Sequence, residues 1–440
     1  MSIIILIPAV ICLVALFRWS LAQTVLNVYL PVFTLVPIYY YWKTAALPPV
    51  TFGEAVLLPL GWAILIKEWR NWKFTTMDVV VGVFLFTTYY ADSLAERRVA
   101  SIFGLFDGVC NALIPYMVGK LLIEQKGIRV AFVKRFLFLL FVCCLVSSYE
   151  YKMGQNPFSR VYRGLFPDET FAWNTQVRWG FGRVSGAFGQ SELAGMIFLC
   201  GFVLALWMGY NQLWEPRFGR PQWLRWKKSA IISWTLGLTL LMTQARGPWL
   251  GCLVAVPVAF IGHARNIVRR ALLVTVLLTV GGGLTYVALK HYVSSAPTSD
   301  EQQTAQYRQQ LLDNYIPVAE QGGAWGWGVD FPRVGGQGSI DNEYLFVALV
   351  QGWVGLLTFS LIALETLVRM AASALVTPEI EDRTFAFSLL GIYLGMLVTL
   401  VTVFLGLQPY QLFFLLAGWS QVLPMRPVRS PQPVFEHVLT

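Results

Sequence analysis

Apolar stretches long enough to cross a bilayer recur along almost the whole chain, and no other feature constrains its fold as much. They cover about 2–17, 24–41, 53–66, 77–91, 99–123, 131–149, 190–210, 229–244, 249–262, 271–289, 343–367, 384–405 and 409–423. A helical crossing takes about 20 apolar residues, and a chain in lipid must satisfy its own backbone hydrogen bonds. The alternating pattern of barrel strands is absent. The sequence therefore predicts an all-α polytopic membrane protein with about 12–13 transmembrane helices. Composition agrees: 56% of residues are hydrophobic and 13% charged, against about 25% charged in soluble domains. Nothing is left over to fold as a soluble enzyme domain, and residues 1–440 are read as a single transmembrane domain. Met1-Ser2-Ile3-Ile4-Ile5 lacks the basic region of a signal peptide and reads as the start of the first helix.

The net charge of +9 has to be read by location. Four basic groups sit in short connectors: Lys67, Arg70 and Lys73; Lys126, Arg129, Lys134 and Arg135; Arg217, Arg220, Arg225, Lys227 and Lys228; Arg265, Arg269 and Arg270. All four are consistent with one cytoplasmic side, beside anionic membrane lipid. No basic tract is interleaved with aromatics, which argues against nucleic acid as a partner. The six cysteines fall inside apolar segments and read as small hydrophobes. No nucleotide-binding glycine loop, HExxH, CxxC or Ser/His/Asp set is present, and His263, His291 and His437 are too scattered to share a metal.

On this topology the two longest connectors, 150–189 and 290–342, are external loops. Arg160, Arg163, Arg178, Arg183, Arg246, Arg308 and Arg333 then lie on the side where basic residues are usually sparse. An anionic ligand would explain that excess. Arg246 stands in the tight hairpin Thr243-Gln244-Ala245-Arg246-Gly247-Pro248-Trp249, with Pro248 in the first turn of the following helix. An arginine fork beside a helix N-terminus suits phosphate or diphosphate. It equally suits an arginine snorkelling to headgroups. Arg308 lies in Gln306–Asp313, an expected amphipathic helix, and Arg183 precedes Val184-Ser185-Gly186-Ala187-Phe188. Trp325 and Trp327 alternate with glycines over 322–328, a pattern that fits sugar stacking as well as an interfacial aromatic belt. In Asp341-Asn342-Glu343-Tyr344-Leu345 the acids are either caps of the re-entering helix or a general base at the membrane face. Asp107, between Gly104 and Gly108, is an intramembrane acid expected to hydrogen-bond within the bundle.

Taken in order, these motifs resemble the bacterial O-antigen ligase and O-antigen polymerase family of membrane glycosyltransferases. The resemblance rests on the Arg246-Gly247 hairpin, Arg308, the 322–328 glycines, Asp341-Asn342-Glu343-Tyr344-Leu345 and Gly352-Trp353-Val354-Gly355, with Arg183–Phe188 before them, and spans 183–360. It implies a GT-C-like all-helical fold with a large periplasmic loop, in the bacterial inner membrane, with the active site facing the periplasm. It implies an undecaprenyl-diphosphate-linked glycan as donor, and as acceptor a second glycan, a lipid A core or another hydroxyl. Arg246, Arg308 and Arg183 would bind the donor diphosphate, and Asp341 or Glu343 would be catalytic. Trp325, Trp327, Asn342 and Tyr344 would contact glycan. The scheme calls for no metal and no cofactor. Ligases of the family typically carry His directly before the Asn, where this chain has Asp341, which favours a polymerase-type relative over a lipid A core ligase. A transporter of lipid-linked glycan is the competing class, and it would place basic residues at several depths.

Overall fold

The computed structural model describes residues 2–43, 47–166, 174–214, 227–294, 300–337 and 339–424. Each apolar stretch is helical over most of its length. Among the described residues six helices are long and apolar enough to span a membrane: Arg98–Ile123, Arg129–Met153, Ser191–Tyr210, Ile267–Tyr292, Glu343–Val376 and Ile380–Leu400. Four shorter apolar helices join them, Ile3–Arg18, Leu21–Leu35, Lys228–Met242 and Arg246–Ile261. Helices Phe52–Glu68, Thr76–Leu94 and Leu407–Ser420 complete the bundle. The chain is an all-α multi-pass membrane protein, as hydropathy requires. Among the described residues strand is confined to two-residue pairings, Tyr41–Trp42 with Val50–Thr51 and Val177–Arg178 with Phe181–Gly182.

Several charged side chains within the bundle find partners, as a medium without water demands. Asp107 accepts from Asn111 Nδ2 at 2.8 Å, in a stretch that widens to π-helix over Val109–Leu113. Asp78 meets Lys120 at 2.6 Å and Tyr116 at 2.7 Å, with the Lys120 and Asp78 side chains nearly inaccessible.

The helix after the 290–342 connector, Glu343–Val376, is broken at Gly352, where φ is 67° and ψ −165°. The break leaves carbonyl and amide groups without helical partners, and the glycine loop fills them. Trp327 N donates to Leu349 O (2.8 Å) and Gly328 N to Val350 O (3.0 Å). In return Trp353 N donates to Gly323 O (3.2 Å) and Val354 N to Ala324 O (3.0 Å). The two backbones approach so closely that a Cβ on Gly326 would lie 2.5 Å from Gly352 N. Asp92 Oδ1 then accepts from Val329 N (2.9 Å), and Arg97 reaches Asp330 (3.4 Å), which ties the loop to the end of helix Thr76–Leu94. The amphipathic helix expected around Arg308 is longer than the motif, Asp300–Gly322. It buries Leu311, Tyr315, Val318 and Ala319 against Phe331, Ile340 and the start of helix Glu343–Val376.

Candidate functional site

Helix Lys228–Met242 ends at Thr243, and Gln244 turns the chain with φ of 51°. The reversal delivers Arg246 to the first position of helix Arg246–Ile261, where its side chain is exposed. Gly247 follows because the helix starts hard against a neighbouring turn: a Cβ there would lie 2.6 Å from Thr402 Oγ1. The residue before Arg246 is Ala245, which makes no side-chain cap for that first turn. Helix Ser191–Tyr210 also starts without a side-chain cap. Both open helix ends, with their partial positive charge, border the same cavity.

That cavity has a volume of about 470 Å³ and is lined by Arg178, Arg183, Arg246 and Arg308, with Glu192 and Asp341 as its only carboxylates among the described residues. It brings together segments far apart in sequence: 174–192 up to the start of helix Ser191–Tyr210, the Arg246 turn, the Arg308 helix, Ser339–Asp341 and Thr402–Phe404. The formal balance of these side chains is positive, as an anion site requires. Of the arginines expected to bind anion, Arg246, Arg308 and Arg183 all reach it.

Each arginine is held differently. Arg183 is buried and committed: its guanidinium bonds Glu192, Gln176 Oε1 and Thr243 O (3.4 Å for the last). It braces the Arg246 turn, helped by Val184 N donating to Met242 O (3.2 Å). Arg308 donates to Thr402 O at 3.5 Å, while its buried Nε has no partner among the described residues. Burial lowers the Arg308 pKa from its ordinary value, against the opposing pull of Asp341 and Glu192. The group stays a cation at neutral pH. A buried guanidinium N–H without an acceptor is costly, and an anion in the cavity would supply one.

Asn342, and not Asp341, caps helix Glu343–Val376, its Oδ1 accepting from Leu345 N at 3.0 Å. Asp341 is thereby released to line the cavity, where Oδ1 accepts from Ser339 Oγ at 3.0 Å. Glu343 does not line it. That side chain is buried and its Oε2 accepts from Leu405 N at 2.7 Å, pinning the turn before helix Leu407–Ser420.

The residues expected to contact glycan lie elsewhere. Asn342 Nδ2 donates to Val401 O (2.9 Å), and Tyr344 OH to Leu397 O (3.0 Å). Trp325 packs edge-on against Tyr90 at 4.7 Å, and Trp327 Nε1 donates to Val318 O at 2.8 Å. The tryptophans follow the loop into the helix break, which turns them away from the cavity.

Two further cavity residues carry little or no mark of their role in the sequence. Arg178 stands on the hairpin Val177–Gly182, whose central Trp179 and Gly180 have φ of 54° and 80°, the handedness a two-residue hairpin needs. It donates to Gln244 O at 3.1 Å. Its only sequence signal is membership in the external arginine excess. Glu192 reads in sequence as an acid in the first turn of a helix, and the pattern gives no sign of its bond to Arg183.

Against known proteins, a family model described as O-antigen ligase matches residues 231–360. No curated protein matches the chain. The matched segment contains Arg246, Arg308 and Asp341, whereas Arg178, Arg183 and Glu192 come to the cavity from outside it. Over residues 231–360, within a multi-pass helical membrane protein, the chain is thus similar to the O-antigen ligase family.

Proposed function

We propose that the chain is a glycosyltransferase of the bacterial inner membrane that works at the periplasmic face. Its donor is an undecaprenyl-diphosphate-linked glycan, and its acceptor a hydroxyl of another glycan, as in a polymerase. The observation that carries this reading is the meeting of Arg246, Arg308 and Asp341 in one positive cavity, with the Arg308 Nε still in need of an acceptor.

In the reaction the acceptor oxygen bonds to the anomeric carbon of the donor while the bond from that carbon to the diphosphate oxygen breaks. The electron pair of the broken bond stays on the diphosphate, and Asp341 takes the proton of the acceptor hydroxyl. Arg246 and Arg308, with the open ends of the two helices, meet the charge that grows on the leaving diphosphate. Arg183 and Arg178 hold the Thr243–Gln244 turn from which Arg246 projects. The Asp341 position, which holds His in typical ligases of the family, supports a polymerase-type reaction over transfer to a lipid A core.

The test uses purified protein in bilayer nanodiscs with lipid-linked glycan and candidate acceptors, reading glycosidic product and released lipid diphosphate. Arg246→Ala and Arg308→Ala are each expected to lower the rate about 10²–10³-fold, and Asp341→Asn to lower it by at least about 10². Product length separates chain extension from a single transfer. Wild type that makes no product with any acceptor, yet moves the lipid across vesicles, would replace this reading with transport.

A further inference from the structure

A second basic cavity adjoins the first. It measures about 700 Å³, and its wall includes Asn156, Ser159, Arg160 and Arg163, with Asn174 and Thr175 shared with the Arg246 cavity. Residues 156, 159, 160 and 163 fall on one face of the short helix Pro157–Leu165. One flank of that face is anchored. Tyr162 stacks on Tyr40 at 5.5 Å and meets Phe52 edge-on at 5.6 Å. The charged face is thus turned to the cavity by packing and is not a side left over.

The wall between the two cavities is built. Asn156 Oδ1 caps the short helix through Phe158 N (2.9 Å) and Ser159 N (3.3 Å). Its Nδ2 donates across to Ser185 Oγ (2.9 Å) and Gly186 O (2.7 Å). Buried Glu150 accepts from Ser185 Oγ (2.8 Å) and Thr175 Oγ1 (3.0 Å), which joins both sides of the partition. Arg160 and Arg163 bond neutral amides, Gln155 at 3.5 Å and Asn174 at 3.3 Å. Among the described residues no carboxylate bridges either. Two like charges one turn apart repel, and an anion between them removes the penalty.

We propose that this groove is a second phosphate site, which holds the phosphate or diphosphate carried by the acceptor while the donor's diphosphate occupies the Arg246 cavity; this rests on the transfer reading above. The shared wall would set the distance between donor and acceptor. The same chemistry could come from a phospholipid headgroup, and the test separates the two.

The full chain is titrated with a short-chain polyprenyl diphosphate in zwitterionic nanodiscs. Wild type is expected to bind two equivalents and Arg160→Gln/Arg163→Gln one. In turnover, the double variant should raise KM for a phosphate-bearing acceptor about tenfold, the loss of roughly 1.4 kcal/mol. kcat, donor KM and KM for a phosphate-free acceptor glycan should stay within about twofold. A single equivalent on wild type, or two on the double variant, overturns the proposal. So does a groove emptied of probe by adding anionic phospholipid while the substitution leaves acceptor KM unchanged, the behaviour of a headgroup site. Wild type without transfer activity would remove the transfer reading, and the binding stoichiometry would still decide whether a second phosphate site exists.

Discussion

The Arg246 turn and the Gly322–Gly328 loop are both short, glycine-bearing segments with an aromatic residue close by, yet they do opposite work. In the turn, Gly247 allows close contact with Thr402, and that contact leaves Arg246 projecting into the cavity. In the loop, Gly326 lies against Gly352 and the backbone itself is the useful part, completing the hydrogen bonds of a broken helix. The aromatic residues beside these glycines are held by hydrogen bonds of their own: Trp249 Nε1 donates to Leu240 O (2.9 Å) and Trp327 Nε1 to Val318 O (2.8 Å). The composition of a motif does not say whether its side chains or its main chain carry the function. The surface it docks on decides.

This contrast is open to attack by substitution. The largest effect is expected at the turn: Arg246→Ala should lower turnover about 10²–10³-fold and leave the thermal midpoint of the purified protein nearly unchanged. A large fall in the midpoint instead would make Arg246 structural. Gly326→Val should do the reverse. With its φ of 74° and the Gly352 backbone 2.5 Å from the new Cβ, it should cost about 3 kcal/mol or more of stability. Loss of folded yield and of the thermal midpoint is the readout, and an intact, stable variant would show that the loop is not a wedge.

Smaller changes sharpen the picture. Glu192→Gln keeps the shape of the acid and loses its ion pair with Arg183. We expect kcat/KM to fall about tenfold through a slackened Arg183, the worth of one charged hydrogen bond. If Glu192→Gln abolishes turnover while Asp341→Asn retains it, the base is Glu192. Trp327→Phe removes the bond to Val318 O (2.8 Å) and part of a ring packed on the Leu311–Val350 cluster and should cost about 1–3 kcal/mol of stability, with turnover within about twofold. A loss of turnover beyond tenfold at unchanged stability would return Trp327 to the glycan site and dissolve the comparison.

Much of the molecule is legible in the amino-acid sequence. The helices follow from hydropathy, and the amphipathic helix of the 290–342 connector from its mixed composition. Arg246, Arg308 and Arg183 stand out because arginines apart from the four basic connectors need a reason, and Asp341 because it stands at the entry of a membrane helix. Other residues do not. Asp341 and Asn342 are adjacent and both can cap, and only the Asn342 bond to Leu345 N (3.0 Å) shows which one does. In the sequence Glu343 is as available as Asp341, but the approach of Leu405 N buries it. Trp179 is an unusual residue for a positive φ, so the hairpin that carries Arg178 leaves no signature.

By itself the sequence determined that this chain lives in a membrane as helices, because a backbone in lipid has no other partner than itself. It also determined which charged groups stand outside the apolar segments, since their placement follows from local composition alone. Tertiary structure alone decided which of those groups meet. Arg183 and Thr243, or Arg308 and Thr402, are joined by packing between segments distant in the chain. Hydropathy constrains each segment's environment and says nothing about its neighbour.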